Sequence, residues 1–217
     1  MISEAIKQLI TPGDGVFYTL FNTGSVSVVK MTDCVFKMLH ENEPGTDKRA
    51  VYLQEMKTFY GESQENYRQT VKRLSKVFIT PIDRESVHQL SVDLHAVARS
   101  IYVVPRSIAW DAENKPDSCS KHLGELLKKA ASELEQMVED IGTPKRTFVM
   151  KHARELNEIK REMETTYDHA LQSLYQSNVS PAQFIRRLDV YNALREVGDY
   201  CCNTAHTAEG IVLTHVG

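Results

Sequence analysis

Apolar residues recur along this chain at alternating steps of three and four, the spacing that gathers them on one face of an α-helix. The pattern predicts six helices. The first carries Phe17, Phe21, Gly24, Val28, Met31, Val35 and Met38, the second Leu53, Met56, Tyr60, Tyr67, Val71 and Leu74, and the third Val87, Leu90, Leu94, Val97, Ile101 and Val104. The fourth carries Leu123, Leu127, Ala130, Leu134, Met137 and Ile141, the fifth Leu156, Ile159, Met163, Tyr167, Ala170 and Leu174. The sixth reads Phe184, Leu188, Tyr191, Leu194, Cys201, Ala205, Ala208 and Val212. Each spans about 25 to 30 residues, longer than the usual globular helix, which suits an elongated antiparallel bundle.

Proline marks the helix starts, because the first turn has no partner for the N–H that proline lacks. Thr11-Pro12, Thr80-Pro81, Thr143-Pro144 and Ser180-Pro181 each set a capping hydroxyl before proline, and Asp14, Asp83 and Gln183 follow their caps by three residues. Pro44-Gly45-Thr46-Asp47 and Pro116-Asp117-Ser118 mark the other two starts. Pro105 falls late in the third helix, where it predicts a kink or the end of the regular helix. Short breaks at 80 and 180 make the second and third helices, and the fifth and sixth, antiparallel neighbours.

Those two breaks lie 100 residues apart, and at that offset Glu55, Glu62, Tyr67, Leu74, Leu94 and Val97 fall on identical residues at 155, 162, 167, 174, 194 and 197. Val71/Leu171, Ile79/Val179 and Leu90/Val190 keep their apolar character. The chain therefore reads as a duplicated helical unit: an all-α fold of two tandem three-helix bundles, 1–113 and 114–217.

Composition narrows the function classes. With 217 residues, 41% hydrophobic and a net charge of −3 shared evenly by the halves, no concentrated basic surface for nucleic acid is expected. No apolar run is long enough to cross a bilayer. Met1 to Ile10 lacks the basic start of a signal peptide and reads as a short amphipathic helix docked on the core. Cys34, Cys119, Cys201 and Cys202 show no CxxC spacing and read as reduced core residues of a cytoplasmic protein.

Several polar groupings have ordinary readings. Asp199, Asn203 and His206 share one face of the sixth helix, as do Glu155, Glu158 and Glu162 on the fifth, but without an ExxH repeat a solvated face is the better reading than a metal site. His88 and His95 lie one heptad apart without a third ligand, which favours a structural role. Arg68, Lys72, Arg73 and Lys76 form a basic stripe near the end of the second helix. There they suit the negative end of the helix dipole, and an anion or partner surface is the sharper alternative. Tyr102 and Trp110 flank Pro105, either capping the core or offering a partner surface. No glycine-rich phosphate loop, GxSxG or cysteine–base pair points to catalysis, so no catalytic residue is assigned.

The stretch Leu74-Ser-Lys-Val-Phe-Ile-Thr-Pro-Ile-Asp-Arg-Glu-Ser-Val-His-Gln-Leu90 resembles the central signature of the PhoU-like family of phosphate-transport regulators, in the branch encoded beside Pit-type phosphate permeases. Glu209-Gly-Ile-Val-Leu213 is similar to the family's C-terminal end, and the order of six helices agrees. The resemblance implies paired three-helix bundles, no enzymatic activity, no cofactor and a role at the cytoplasmic side of phosphate uptake. The partner it implies is a phosphate permease or its signalling partners, reached by peripheral association, with a homodimer compatible with the shape.

Members of the wider family carry acidic E/DxxxD motifs on the second and third helix of each bundle, which can hold metal clusters. The matching positions here are Tyr60 and Gln64, His95 and Arg99, Lys160 and Glu164, and Arg195 and Asp199. None keeps the motif, and ammonium or guanidinium groups repel a cation, so no metal is expected. Residues at equal height in each antiparallel hairpin pair Lys160 with Asp199, Arg195 with Glu164, Tyr60 with Arg99 and Gln64 with His95. The expectation is that direct polar contacts stand where metal would be held. A helical scaffold unrelated to phosphate, and a metal-binding bundle or metalloenzyme, remain the alternatives.

Overall fold

A computed structural model describes residues 14–41, 48–80, 82–108, 115–143 and 146–214. Within them lie six helices and no strand: α1 (Asp14–His40), α2 (Lys48–Leu74), α3 (Arg84–Ile108), α4 (Ser118–Ile141), α5 (Arg146–Gln176) and α6 (Pro181–Thr214). The expectations placed on residues 1–12, 44–47, 81, 110 and 144, and the boundary at 113/114, lie outside the described residues.

Local chemistry explains the starts. Ser180 Oγ accepts from the Gln183 N–H at 3.3 Å while Gln183 Oε1 accepts from the Ser180 N–H at 3.2 Å, closing the expected capping box of α6. Asp117 caps α4, accepting from the Ser120 N–H at 2.8 Å and also from the Tyr191 hydroxyl of α6. α3 begins later than Thr80 predicts. Its cap is Asp83, which accepts from the Ser86 N–H at 2.9 Å, and the Arg84 guanidinium reaches back to the carbonyls of Leu74 and Val77, each at 2.6 Å. Leu74 is the last residue of α2 and Val77 lies in the turn beyond it, so neither carbonyl has a helical partner and the turn is shaped by satisfying them rather than by lengthening α3. At its other end α3 runs through Pro105 to Ile108, so the proline lies in the last turn and does not stop the helix.

α1, α2 and α3 pack together, as do α4, α5 and α6, and the two bundles join through α1 against α4 and α3 against α6. This places α1, α3, α4 and α6 in an inner layer, with α2 and α5 outside, each touching two helices of its own bundle. Burial follows the layers. Phe17, Phe21, Val28, Met31, Val35 and Met38 of α1 are all buried, whereas α2 buries only Met56, Ser63, Thr70 and Leu74. The α2 seam therefore passes through Ser63 and Thr70, and Val71, expected in the core, is 37% exposed. Across the join Lys128 meets Asp33 at 2.7 Å and the Thr207 hydroxyl donates to Asp93 at 2.6 Å. A Cβ on Gly124 would stand 2.5 Å from Leu39 Cδ1, so the close approach of α1 and α4 uses its missing side chain.

Candidate functional site

The two antiparallel hairpins, α2–α3 and α5–α6, bring together the eight positions that the sequence singles out. In the second hairpin Lys160 Nζ lies 2.9 Å from Asp199 Oδ1, the expected cross-helix ion pair, with Glu164 of the same helix at 3.9 Å. Hydrogen bonding to Asp199 raises the Lys160 pKa against a smaller opposing effect of burial, so the ammonium stays charged. Lys160 is one-third exposed and Asp199 two-fifths, at 33% and 40%. Below them Cys202 donates its thiol to the Leu156 carbonyl at 3.4 Å, and burial pushes that thiol up to about 11, outside the range of a reactive thiolate.

Arg195 does not pair with Glu164 as expected. Its guanidinium lies over the Tyr167 ring, 4.6 Å from the centroid, and its Nε is buried without a hydrogen-bond partner. The Tyr167 hydroxyl in turn donates to Asn192 Oδ1 at 2.7 Å. A planar cation on a ring face satisfies its charge through the ring quadrupole, which explains how that edge tolerates burial.

The first hairpin holds a column of rings in place of the expected polar pairs. Tyr102 stacks on Tyr60 at 4.3 Å, Tyr60 lies 5.9 Å from His95, and His95 stacks on Tyr67 at 5.1 Å, all within 13° of parallel. Tyr60 and Tyr67 are two helical turns apart, roughly 10.5 Å, about the room that one ring inserted between them requires. His95 Nδ1 meets Ser63 Oγ at 3.5 Å rather than Gln64, and Tyr60 meets rings rather than Arg99. The nearest partners lie up to three residues from the expected heights, and because neighbouring helix positions differ by about 100°, Ser63 rather than Gln64 meets His95 while Arg99 is exposed. Burial, and then the nearby Arg99 charge, hold the His95 pKa below its ordinary value, keeping the ring neutral within the stack.

The other groupings are dispersed. Glu155, Glu158, Glu162, His88, Asn203 and His206 are exposed, and Asp199 is engaged by Lys160. Among the described residues no three His, Cys, Asp or Glu side chains converge on a point that could hold a metal ion. Arg68, Lys72, Arg73 and Lys76 are exposed, and the last three line a groove of about 250 Å³ with Val16, Leu20 and Gln69. One cluster had no sequence signal, since its members come from three helices: Glu125 accepts from both His40 and His122, each at 3.3 Å, and His122 reaches Glu162 at 3.4 Å. These histidine contacts hold Glu125 below the usual carboxylate range and tie α1, α4 and α5 together. No described helix is long and apolar enough to cross a membrane.

Six antiparallel helices in two joined bundles, each with a polar or aromatic hairpin interface, define a PhoU-like fold. The chain superposes on a PhoU-like protein from Shewanella oneidensis with a TM-score of 0.78 at 12% identity, covering 91% of this chain and 99% of that one. A second PhoU-like protein of that organism, named for a phosphate regulatory role, gives 0.77 at 12% identity over the same shares. In sequence the chain is 24% identical over 143 residues to the UPF0111 protein YkaA of Bacillus subtilis, 66% of this chain and 70% of that protein. No family model matches.

Proposed function

We propose that this protein regulates inorganic phosphate transport without catalysing a reaction, by contact with a phosphate permease or its signalling partners at the cytoplasmic face. The observation that carries this reading is the PhoU-like architecture over 91% of the chain, shared with a protein named for phosphate regulation. The Thr80-to-Arg84 turn and the closing Glu209-to-Leu213 segment, which resemble the family's own, support it. Rigid bundles regulate by binding one conformation of a transporter more tightly than another, and the difference in affinity sets the shift in population. In this reading the Lys160–Asp199 pair and the Tyr60–His95–Tyr67 stack replace the metal clusters of the wider family, so the hairpins stay closed without an ion.

Two measurements test it. Loss of the chain from its host should change the rate of phosphate uptake, and the tagged chain should retain a phosphate permease on purification. Unchanged uptake together with no permease retained would leave a helical scaffold unrelated to phosphate. Elemental analysis of the purified protein should find less than one transition-metal ion per chain, and a stoichiometric ion lost on substitution of the hairpin residues would refute the replacement.

A further inference from the structure

The turn joining α2 to α3 carries Phe78 with its side chain 100% exposed and Ile79 60% exposed, side by side. Their protrusion is built in by the backbone. Arg84 clamps the Leu74 and Val77 carbonyls, the Lys76 and Val77 N–H groups both donate to the Arg73 carbonyl at 2.9 and 3.1 Å, and the Ser75 hydroxyl donates to the Lys72 carbonyl at 2.9 Å. A turn bonded on both sides holds its two apolar side chains outward at little further cost in chain entropy. Such a pair is unfavourable in water and gains by entering an apolar phase.

The charges around this tip are sorted. Lys72, Arg73 and Lys76 line the groove on the α1 side, with Arg68 one turn behind, while Asp83 and Glu85 line the opposite groove facing α6. Lys72 and Arg73 lie in the last turn of α2 and Lys76 in the turn two residues before Phe78, so the cations stand just behind the apolar pair. A segment lying at a bilayer surface sets its apolar side chains at the acyl boundary and its cations among the headgroups in this same order. The corresponding turn between α5 and α6 is built differently: Asn178 and Val179 occupy the tip, Phe184 stands where Arg84 would clamp, and the exposed apolar residues nearby, Tyr175 and Ile185, are set apart on the two helices.

We propose that the α2–α3 tip docks on a bilayer surface bearing anionic headgroups, with Phe78 and Ile79 entering the acyl boundary and Lys72, Arg73 and Lys76 meeting the headgroup charge. This goes beyond contact with a permease and requires no protein partner. The α1 side of the tip faces the membrane and the acidic side is turned away.

Co-sedimentation of the full chain with protein-free vesicles tests it. Vesicles of phosphatidylcholine mixed with phosphatidylglycerol should bind the protein, phosphatidylcholine alone should bind it less, and added salt should weaken the binding. Removing the two apolar side chains together in F78S/I79S should lower partitioning at least about tenfold. K72E, R73E and K76E should each lower it about fivefold or more. Both tip residues lie outside the core, so F78S/I79S should keep the thermal midpoint of the wild type. Y175S, at the exposed Tyr175 near the other turn, should bind as wild type does. Quenching of F78W by brominated lipid, measured against the wild-type background, should report insertion at that residue. Binding to neither vesicle, equal binding to both, or binding that F78S/I79S leaves unchanged would overturn the proposal. So would self-association, or binding of another protein, that F78S/I79S abolishes while vesicles stay unbound, because the tip would then be a protein-docking surface.

Discussion

The α2–α3 and α5–α6 hairpins share a scaffold and differ in what fills it. Tyr67 and Tyr167 occupy equivalent places, and each ring face is covered from the partner helix, by the His95 imidazole in one and the Arg195 guanidinium in the other. At the 100-residue offset the buried seam of the outer helix reads Met56, Ser63, Thr70 and Leu74 in the first bundle and Leu156, Met163, Ala170 and Leu174 in the second, where α5 also buries Val149, His152 and Ala153. Ser63, Asn66, Thr70, Ser91 and His95 border a space of about 10 Å³ beside the first seam, whereas Met163 fills the matching space against Gly198. The difference teaches that helix register can be preserved while the interface changes from apolar and charge-paired to aromatic and weakly polar. The first interface should respond to acid through His95, and the second to salt through Lys160 and Asp199.

The contrast can be broken most strongly at the seam. Met163→Ala removes a buried side chain from a site where Gly198 offers nothing to fill the hole, and should lower stability by about 2 to 3 kcal/mol in urea unfolding. Ser63→Ala at the equivalent place loses only a long hydrogen bond to His95 and should cost under about 0.5 kcal/mol. Equal losses would show that the two seams carry the same load. Tyr167→Phe should cost about 1 kcal/mol, because it leaves Asn192 without its donor. Tyr67→Phe keeps the ring contacts and should be nearly neutral by the same measurement. Lys160→Ala, at a partly exposed pair, should cost about 0.5 kcal/mol at low ionic strength and less as salt is added.

The smallest effect is the pH response of the first hairpin. Because burial and Arg99 depress the His95 pKa from its ordinary value of 6.5, the folded state holds fewer protons there than the unfolded chain. The contribution is fully present above that value and is lost as pH falls through it toward the lowered folded value. The difference in unfolding midpoint between wild type and His95→Gln should therefore shrink on acidification through this window. A difference that grows would mean that the stacked rings favour the imidazolium.

Much of the architecture was legible in the chain. Spacings of three and four marked six helices, the offset of 100 residues marked the repeat, and antiparallel height placed Lys160 beside Asp199. Height alone failed for Arg195, Tyr60 and His95, whose partners are Tyr167, Tyr102, Ser63 and Tyr67. A cap followed by proline predicted α6 but misplaced α3, because the carbonyls of Leu74 at the end of α2 and Val77 in the turn draw Arg84 back.

The chain by itself determined the helices, their doubling and the two hairpins, since periodicity and capping act within a few turns of one backbone. Tertiary structure alone decided that α1 meets α4 and α3 meets α6, which side of each helix turns inward, and which apolar residues remain at a tip. Rotation about a helix axis is settled by every neighbouring face at once, and no single segment contains that information.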